Sequence, residues 1–325
     1  MSTGHRSGYW RNTMTNREMN NNRKLLIVGL ACVDIVNVAA GYPTEDTDQR
    51  LLDQQVNRGG NATNTSVVLS QLGSHVEWLG TLASDKLADV ITDDLENYGV
   101  LYDKARQYEN CVTPLSCVIV NASTGSRTIL HKNKALPEVD PKDFEKLDLD
   151  DYSWIHFEGR NEVNIEKMIA MIEMYNKSRT DSKPITISLE AEKSRNVTHS
   201  LLQKGDFVFI SKDYSMYMGF NSADECLNGV KERNLLKIGA KAICAWGEKG
   251  AWGLEESDRI VHSPAFPPIK VVDTLGAGDT FNAGVLHALN QGRTVEEAVR
   301  LGCQVAGQKV GQIGFNIDTT SLDLL

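Results

Sequence analysis

Two glycine-bearing stretches near opposite ends of the chain hold residue types that can do chemistry. In Asp273-Thr-Leu-Gly-Ala-Gly-Asp-Thr-Phe-Asn282 the backbone can turn tightly at Gly276, Ala277 and Gly278, and Phe281, Val285, Leu286 and Leu289 space an apolar helix face starting near Asp279. The first N–H groups of such a helix lack intrahelical partners, and with the helix dipole they suit a phosphate or a developing anion. Asp279 has two roles open to it there: cap of the helix, or general base beside an anion hole. The second stretch, Arg58-Gly-Gly-Asn-Ala-Thr-Asn64, runs into Val67, Val68, Leu69 and Leu72. On a first helical turn, Asn61 and Asn64 present two amides on one face, suited to adjacent hydroxyls of a neutral polyol. A glycine turn with an Asn cap is the other reading.

Better-known glycine motifs fail on these segments. Gly276-Ala-Gly-Asp-Thr-Phe281 lacks the third glycine or alanine of the dinucleotide fingerprint and lies near the C-terminus, not after the first strand. Gly302 to Gly307 has Walker A spacing but continues Gln308-Lys309 where Lys-Ser/Thr is required. Dinucleotide and P-loop chemistry are both disfavoured.

Composition narrows the remaining classes. The 325 residues carry 34 basic and 43 acidic side chains, a net charge of −9, which argues against a nucleic-acid or anionic-membrane partner. With 41% hydrophobic residues the chain can bury a core, and no apolar run approaches the ~20 residues of a membrane helix. The polar N-terminus lacks a secretory segment, so the expectation is a cytoplasmic protein. The six cysteines are dispersed without a C-x-x-C pair and read as reduced thiols, mostly in the core.

The elements that must position the two stretches follow from periodicity. Residues 1–23 are polar and aperiodic and read as a flexible extension. The continuous apolar runs Leu25-Leu-Ile-Val28, Ser153-Trp-Ile-His-Phe157, Ile185-Thr-Ile-Ser-Leu189, Phe207-Val-Phe-Ile210 and Ala242-Ile-Cys-Ala-Trp246 predict strands covered on both faces. Between them, Leu87 to Tyr98 and Ile165 to Tyr175 keep helical spacing, and Thr294-Val-Glu-Glu297 matches a capping box. This alternation predicts an α/β fold with a mostly parallel central sheet flanked by helices. Residues at about 33–58 and 111–133 hold strand-like segments without an intervening helix. They predict a small, mainly antiparallel sheet that could act as a lid, its outer face covered by a second subunit.

Taken together, Arg58-Gly-Gly-Asn-Ala-Thr-Asn64 and Asp273-Thr-Leu-Gly-Ala-Gly-Asp279 resemble the two signatures of ribokinase-like carbohydrate kinases. Gly125-Ser-Arg-Thr-Ile-Leu130, His156-Phe-Glu-Gly-Arg-Asn161, Ser188-Leu-Glu-Ala-Glu-Lys193, Cys244-Ala-Trp-Gly-Glu-Lys-Gly250, Phe266-Pro-Pro268 and Gly302-Cys-Gln-Val-Ala-Gly307 are similar to the branch that phosphorylates fructose at C1. The likeness runs in order over residues 24–316.

The resemblance implies a three-layer ribokinase-like kinase domain over residues 24–325, with the small sheet as both lid and homodimer contact. It implies ATP-dependent conversion of D-fructose to fructose 1-phosphate. Asp34, Gly60, Asn61 and Asn64 would hold the ketose. Asp279, ionised at neutral pH, would take the proton from its primary hydroxyl, and the Gly276, Ala277 and Gly278 amides would receive charge on the phosphoryl group. Arg127, by itself a solvated surface charge, would reach the ATP phosphates, with Lys193 assisting. Ala245, Trp246, Gly247, Glu248 and Gly250, by themselves a hairpin turn, would meet the nucleotide.

Mg2+ and K+ are the implied ions. Many of these enzymes organise Mg2+ with Asn-x-x-Glu after a central strand, whereas Ile210 here precedes Ser-Lys-Asp-Tyr214, so the metal ligands stay unassigned. Carbonyls around Asp273 and the Gly302–Gly311 stretch are candidates for K+. The phosphate-handling residues would equally serve a ribose or nucleoside kinase, and a non-catalytic sugar or nucleotide sensor is the alternative of another class.

Overall fold

The computed structural model describes residues 23–179, 183–193 and 199–322. The expected N-terminal extension therefore lies, apart from Arg23, outside the described residues. Fourteen strands are formed among the described residues: β1 (Lys24–Val28), β2 (Cys32–Ala39), β3 (Asp53–Gly59), β4 (Val76–Leu79), β5 (Thr81–Ala83), β6 (Arg106–Tyr108), β7 (Val112–Asn121), β8 (Arg127–Lys134), β9 (Tyr152–Glu158), β10 (Thr186–Ala191), β11 (Phe207–Ile210), β12 (Lys241–Ala245), β13 (Ala251–Leu254) and β14 (Ile260–Ser263). Helices of ten or more described residues are α1 (Asn61–Gln71), α2 (Lys86–Asn97), α3 (Glu162–Ser178), α4 (Ala223–Glu232), α5 (Ala277–Asn290) and α6 (Val295–Val310).

Eight strands form the main sheet in the order β14-β13-β12-β11-β10-β9-β1-β4. From β4 to β12 every pair is parallel, and β12, β13 and β14 pair antiparallel. The continuous apolar runs are explained by burial on both faces. Leu26, Val28, Ile155, Phe157, Val208 and Ile210 point into a core shared with α3 and α4, while Leu25, Ile27, Trp154 and Phe209 point into one shared with α1, α2, α5 and α6. The capping box at Thr294 and Glu297 is formed as read from the sequence.

Two features differ from the expected elements. Strands β13 and β14, which extend β12 into an antiparallel meander, have no counterpart in the sequence reading, because Ala251–Leu254 and Ile260–Ser263 are short and carry no continuous apolar run. Helix α5 begins at Ala277, ahead of Asp279, since Gly276 adopts a left-handed φ of 71° and takes the N-cap position itself.

A second sheet of four strands, ordered β3-β2-β7-β8, stands apart from the first. Its β2–β3 and β7–β8 pairs are antiparallel and its central β2–β7 pair is parallel. The chain enters this sheet directly from β1 and leaves it from β3 straight into α1, so the Arg58–Asn64 stretch is anchored where the two sheets meet.

Candidate active site

A cleft of about 770 Å³ opens between the carboxyl ends of the parallel strands, the inner face of the second sheet and the start of α5. Strand order reverses between β1 and β9, the switch point at which open α/β sheets bind ligands. The backbone N–H of Leu30, just beyond β1, crosses it to donate to Glu158 Oε2 at the end of β9, 2.8 Å away.

The two glycine stretches meet at the floor of this cleft. Asn64 Nδ2 donates to Asp279 Oδ2 at 2.7 Å, and Thr65 Oγ1 donates to the Asp279 carbonyl at 3.3 Å. Both helices start on glycine N-caps with no side-chain cap bond, so neither Asn61 nor Asp279 is a cap. Gly60 has φ 104° and packs so tightly on Leu30 that a Cβ would strike its carbonyl. At Gly276, a Cβ would run into the Phe315 ring, in addition to the positive φ.

Asp279 is buried and faces an acidic wall. Loss of hydration pushes its carboxyl up to about 7, aided by the charges of Glu192 and Glu158 and opposed by the Asn64 hydrogen bond and Arg58. The expected carboxylate, fully ionised at neutral pH, is thus corrected to one poised near neutrality, the range that suits a general base. Burial, with Glu192 and Asp279 close by, likewise raises the Glu190 carboxyl.

Asn61 Nδ2 reaches Glu192 Oε2 at 2.9 Å and Glu190 Oε2 at 3.4 Å, and Asn282 Nδ2 donates to Glu190 Oε1 at 2.7 Å. Asp34, Gly60, Asn61, Asn64, Arg127, Lys193, Ala245, Gly247, Glu248, Gly276, Ala277, Gly278 and Asp279 all line the cleft. Space above Gly278 is open for several ångströms. The Ala277 N–H, by contrast, turns to the Thr274 carbonyl at 3.3 Å. Arg127 bonds Thr274 Oγ1 and so ties β8 to the loop before α5. Lys193 stands 3.5 Å from Glu192.

Trp246 and Gly250 are not brought to the cleft. The Trp246 ring is buried in the core beneath α4, and Gly250 packs on the Ser263 carbonyl inside the β12–β13 hairpin, closed by a 2.8 Å Trp246 N–H to Gly250 carbonyl bond. The turn is a hairpin closed between Trp246 and Gly250, and it presents Ala245, Gly247 and Glu248 to the cleft.

Several supporting residues escaped the sequence reading. Arg58 bonds Asn64 Oδ1, pairs with Asp94 at 2.5 Å and lies over Phe315 at 5.1 Å. Lys309, fully buried, donates to the Asp273 carboxylate and, at 3.2 Å, to the Asp273 carbonyl considered for K+. The only available signal was the position of Arg58 at the head of its motif.

The cleft, with its buried carboxylate at a helix start, sits on a three-layer α/β scaffold. The model of the pfkB family carbohydrate kinases matches residues 22–321. A ketohexokinase from Mus musculus is 46% identical over 294 residues, covering 90% of this chain and 98% of that protein. A guanosine-inosine kinase from Exiguobacterium acetylicum is 23% identical, covering 93% of this chain and 99% of its own. An Arabidopsis thaliana ribokinase complexed with ribose and ATP superposes with a TM-score of 0.72 at 21% identity, over 90% of this chain and 94% of that one. The chain belongs to the pfkB family of carbohydrate kinases and has the ribokinase-like fold.

Proposed function

We propose that the chain phosphorylates D-fructose at its C1 hydroxyl with ATP, giving fructose 1-phosphate and ADP. The observation that carries the mechanism is the Asp279 carboxylate, held by Asn64 on the cleft floor at the start of a helix. The choice of ketose is supported by the mouse ketohexokinase relative.

In this reading, Asp34, Gly60, Asn61 and Asn64 hold the sugar with its primary hydroxyl at Asp279. As the oxygen bonds to the γ-phosphorus, its proton passes to Asp279 and the bond to the β-phosphate oxygen breaks, releasing ADP. Backbone amides at Gly276 and Gly278 take up charge on the transferring group. Arg127 and Lys193 meet the phosphates, while Ala245, Gly247 and Glu248 border the nucleotide.

Mg2+ accompanies ATP and supplies charge neutralisation on the phosphates. Among the described residues no group of three or more His, Cys, Asp or Glu side chains forms a metal cage. Glu190 and Glu192 already accept from Asn61 and Asn282, so they and Glu158 fit a hydrated ion held through its waters. Because Lys309 engages the Asp273 carbonyl, no step is assigned to K+.

A second copy of the chain is proposed on the outer face of the four-stranded sheet. A row of apolar residues crosses it in register, Val56, Ile35, Cys117 and Leu130, with Val56 50% and Leu130 58% exposed. A cytoplasmic location accords with the reduced thiols; among the described residues no helix is long and apolar enough to cross a membrane.

The test of the function is a coupled ADP-release assay over D-fructose, D-ribose and nucleosides, followed by NMR of the product. Turnover with D-fructose and phosphorus at C1 are expected. Phosphorylation at C6, or activity confined to a nucleoside, would overturn the substrate assignment.

A further inference from the structure

On the inner face of the four-stranded sheet a polar row borders the cleft. Asp34 on β2 stands opposite Ser116 on β7, and Ser116 stands opposite His131 on β8. Their side chains are linked. His131 Nδ1 lies 3.1 Å from Ser116 Oγ, Ser116 Oγ lies 3.7 Å from Cys32 Sγ, and Cys32 Sγ donates to Asp34 Oδ1 at 3.4 Å. All four residues line the cleft.

On β2, β7 and β8 the neighbouring row of the same face is apolar, with Val36, Val118 and Ile129 at the corresponding register positions; only the edge strand β3 places a polar residue there, Gln55 opposite Val36. A sheet face that needed only to pack would continue that apolar pattern. The change to carboxylate, hydroxyl and imidazole occurs where the face borders the cleft, and Ser116 and Asp34 are buried there while His131 is exposed. Adjacent strands lie ~4.8 Å apart, so the row reaches ~10 Å across the sugar side of the cleft. That span exceeds what Asp34 alone can cover.

We propose that His131, oriented by Ser116, is a specificity-determining residue of the sugar site, meeting a hydroxyl on the lid side of the bound ketose. The inference rests on the ketose-kinase reading above and deepens it. The imidazole supplies a donor or an acceptor to a neutral hydroxyl, and Ser116 is a positioning residue that fixes the ring through Nδ1. Asp279 and the phosphate-binding amides are not part of this row, so its loss weakens sugar capture and selectivity without removing the chemistry.

The test is steady-state kinetics of wild type, His131→Leu, Ser116→Ala and Ser116→Thr at saturating ATP. The sugars are D-fructose, its C4 epimer D-tagatose, its C5 epimer L-sorbose and the shorter D-xylulose. His131→Leu and Ser116→Ala are expected to raise KM for D-fructose roughly 3- to 10-fold, the range of one neutral hydrogen bond, with kcat within about 3-fold. KM for ATP stays unchanged, discrimination among the sugars narrows, and Ser116→Thr retains wild-type behaviour. A His131→Leu enzyme with unaltered KM and unaltered sugar preference would overturn the proposal. If wild type rejects every ketose, it is the substrate assignment that fails; the same variants are then judged by KM on whichever sugar wild type accepts, where an unchanged value is equally fatal to the role of His131.

Discussion

The Asn64 side-chain amide donates to the Asp279 carboxylate across 2.7 Å, joining the first turns of two helices whose residues lie 215 positions apart. Arg58 holds the other end of the same amide, so its orientation is fixed and its N–H faces the carboxylate. The bond favours the ionised form of Asp279. Asn64→Ala is therefore expected to lower kcat/KM for the sugar by roughly 10- to 100-fold, the worth of a hydrogen bond to a charged group, and to move the acid limb of the pH profile upward. A variant with an unmoved acid limb would show that Asn64 does not tune the base.

Burial raises Asp279 from 3.8 to about 7, which fixes the sign of two pH effects. A general base must be deprotonated to act, so kcat/KM for the sugar is expected to rise with pH through about 7. Stability runs the other way. Between about 4 and about 7 the folded carboxyl holds a proton that the unfolded one has lost, so this group's contribution falls as pH rises and levels off above that window. Denaturation of wild type and Asp279→Asn at pH 5 and pH 8 checks it: the variant should gain relative to wild type at the higher pH.

Lys309 is a lysine with 0% of its side chain exposed, and its ion pair ties the end of α6 to Asp273, whose Oδ1 accepts from the Leu275 N–H just ahead of Gly276. Lys309→Met leaves a partly buried carboxylate uncompensated, at a cost of about 3–5 kcal/mol in urea unfolding. Turnover should fall with it, because the loop ahead of α5 loses its anchor. Adding Asp273→Asn to Lys309→Met should recover part of the stability; a double variant as unstable as the single one would contradict the pairing.

Arg127 is exposed yet bonded to Thr274, so the second sheet reaches the loop before α5 through this side chain. Arg127→Ala is expected to raise KM for ATP roughly 10-fold, the scale of a charge-assisted hydrogen bond, while sugar affinity changes little. Equal KM values for ATP in the two enzymes would return Arg127 to the role of a solvated charge.

How much of this was legible in the sequence depended on the length and locality of each signal. The five buried parallel strands and helices α2 and α3 announced themselves because two-sided burial and helical stripes persist over several residues. That Asn64 and Asp279 serve one site was readable only from the family resemblance; periodicity and spacing left the two stretches as a glycine turn with an Asn cap and an Asp cap. Tertiary partners were not readable: nothing near Lys309 in the sequence signals Asp273, and nothing near His131 signals Ser116 and Cys32. The shift of Asp279 toward neutrality was likewise hidden, since it arises from burial and from Glu158 and Glu192, which are brought close only when β9 and β10 pair. The burial of the Trp246 ring was hidden for a related reason: inside a turn motif, the sequence does not say which side chain folds back into the core.

Asp279 is proposed above as the base that takes the sugar's proton. Turnover of Asp279→Asn, measured alongside calorimetric binding of the sugar, tests it most directly. A fall in kcat of roughly 10²–10⁴ is expected, with sugar binding largely retained. Full activity in Asp279→Asn would contradict it and leave Asp279 a structural partner of Asn64.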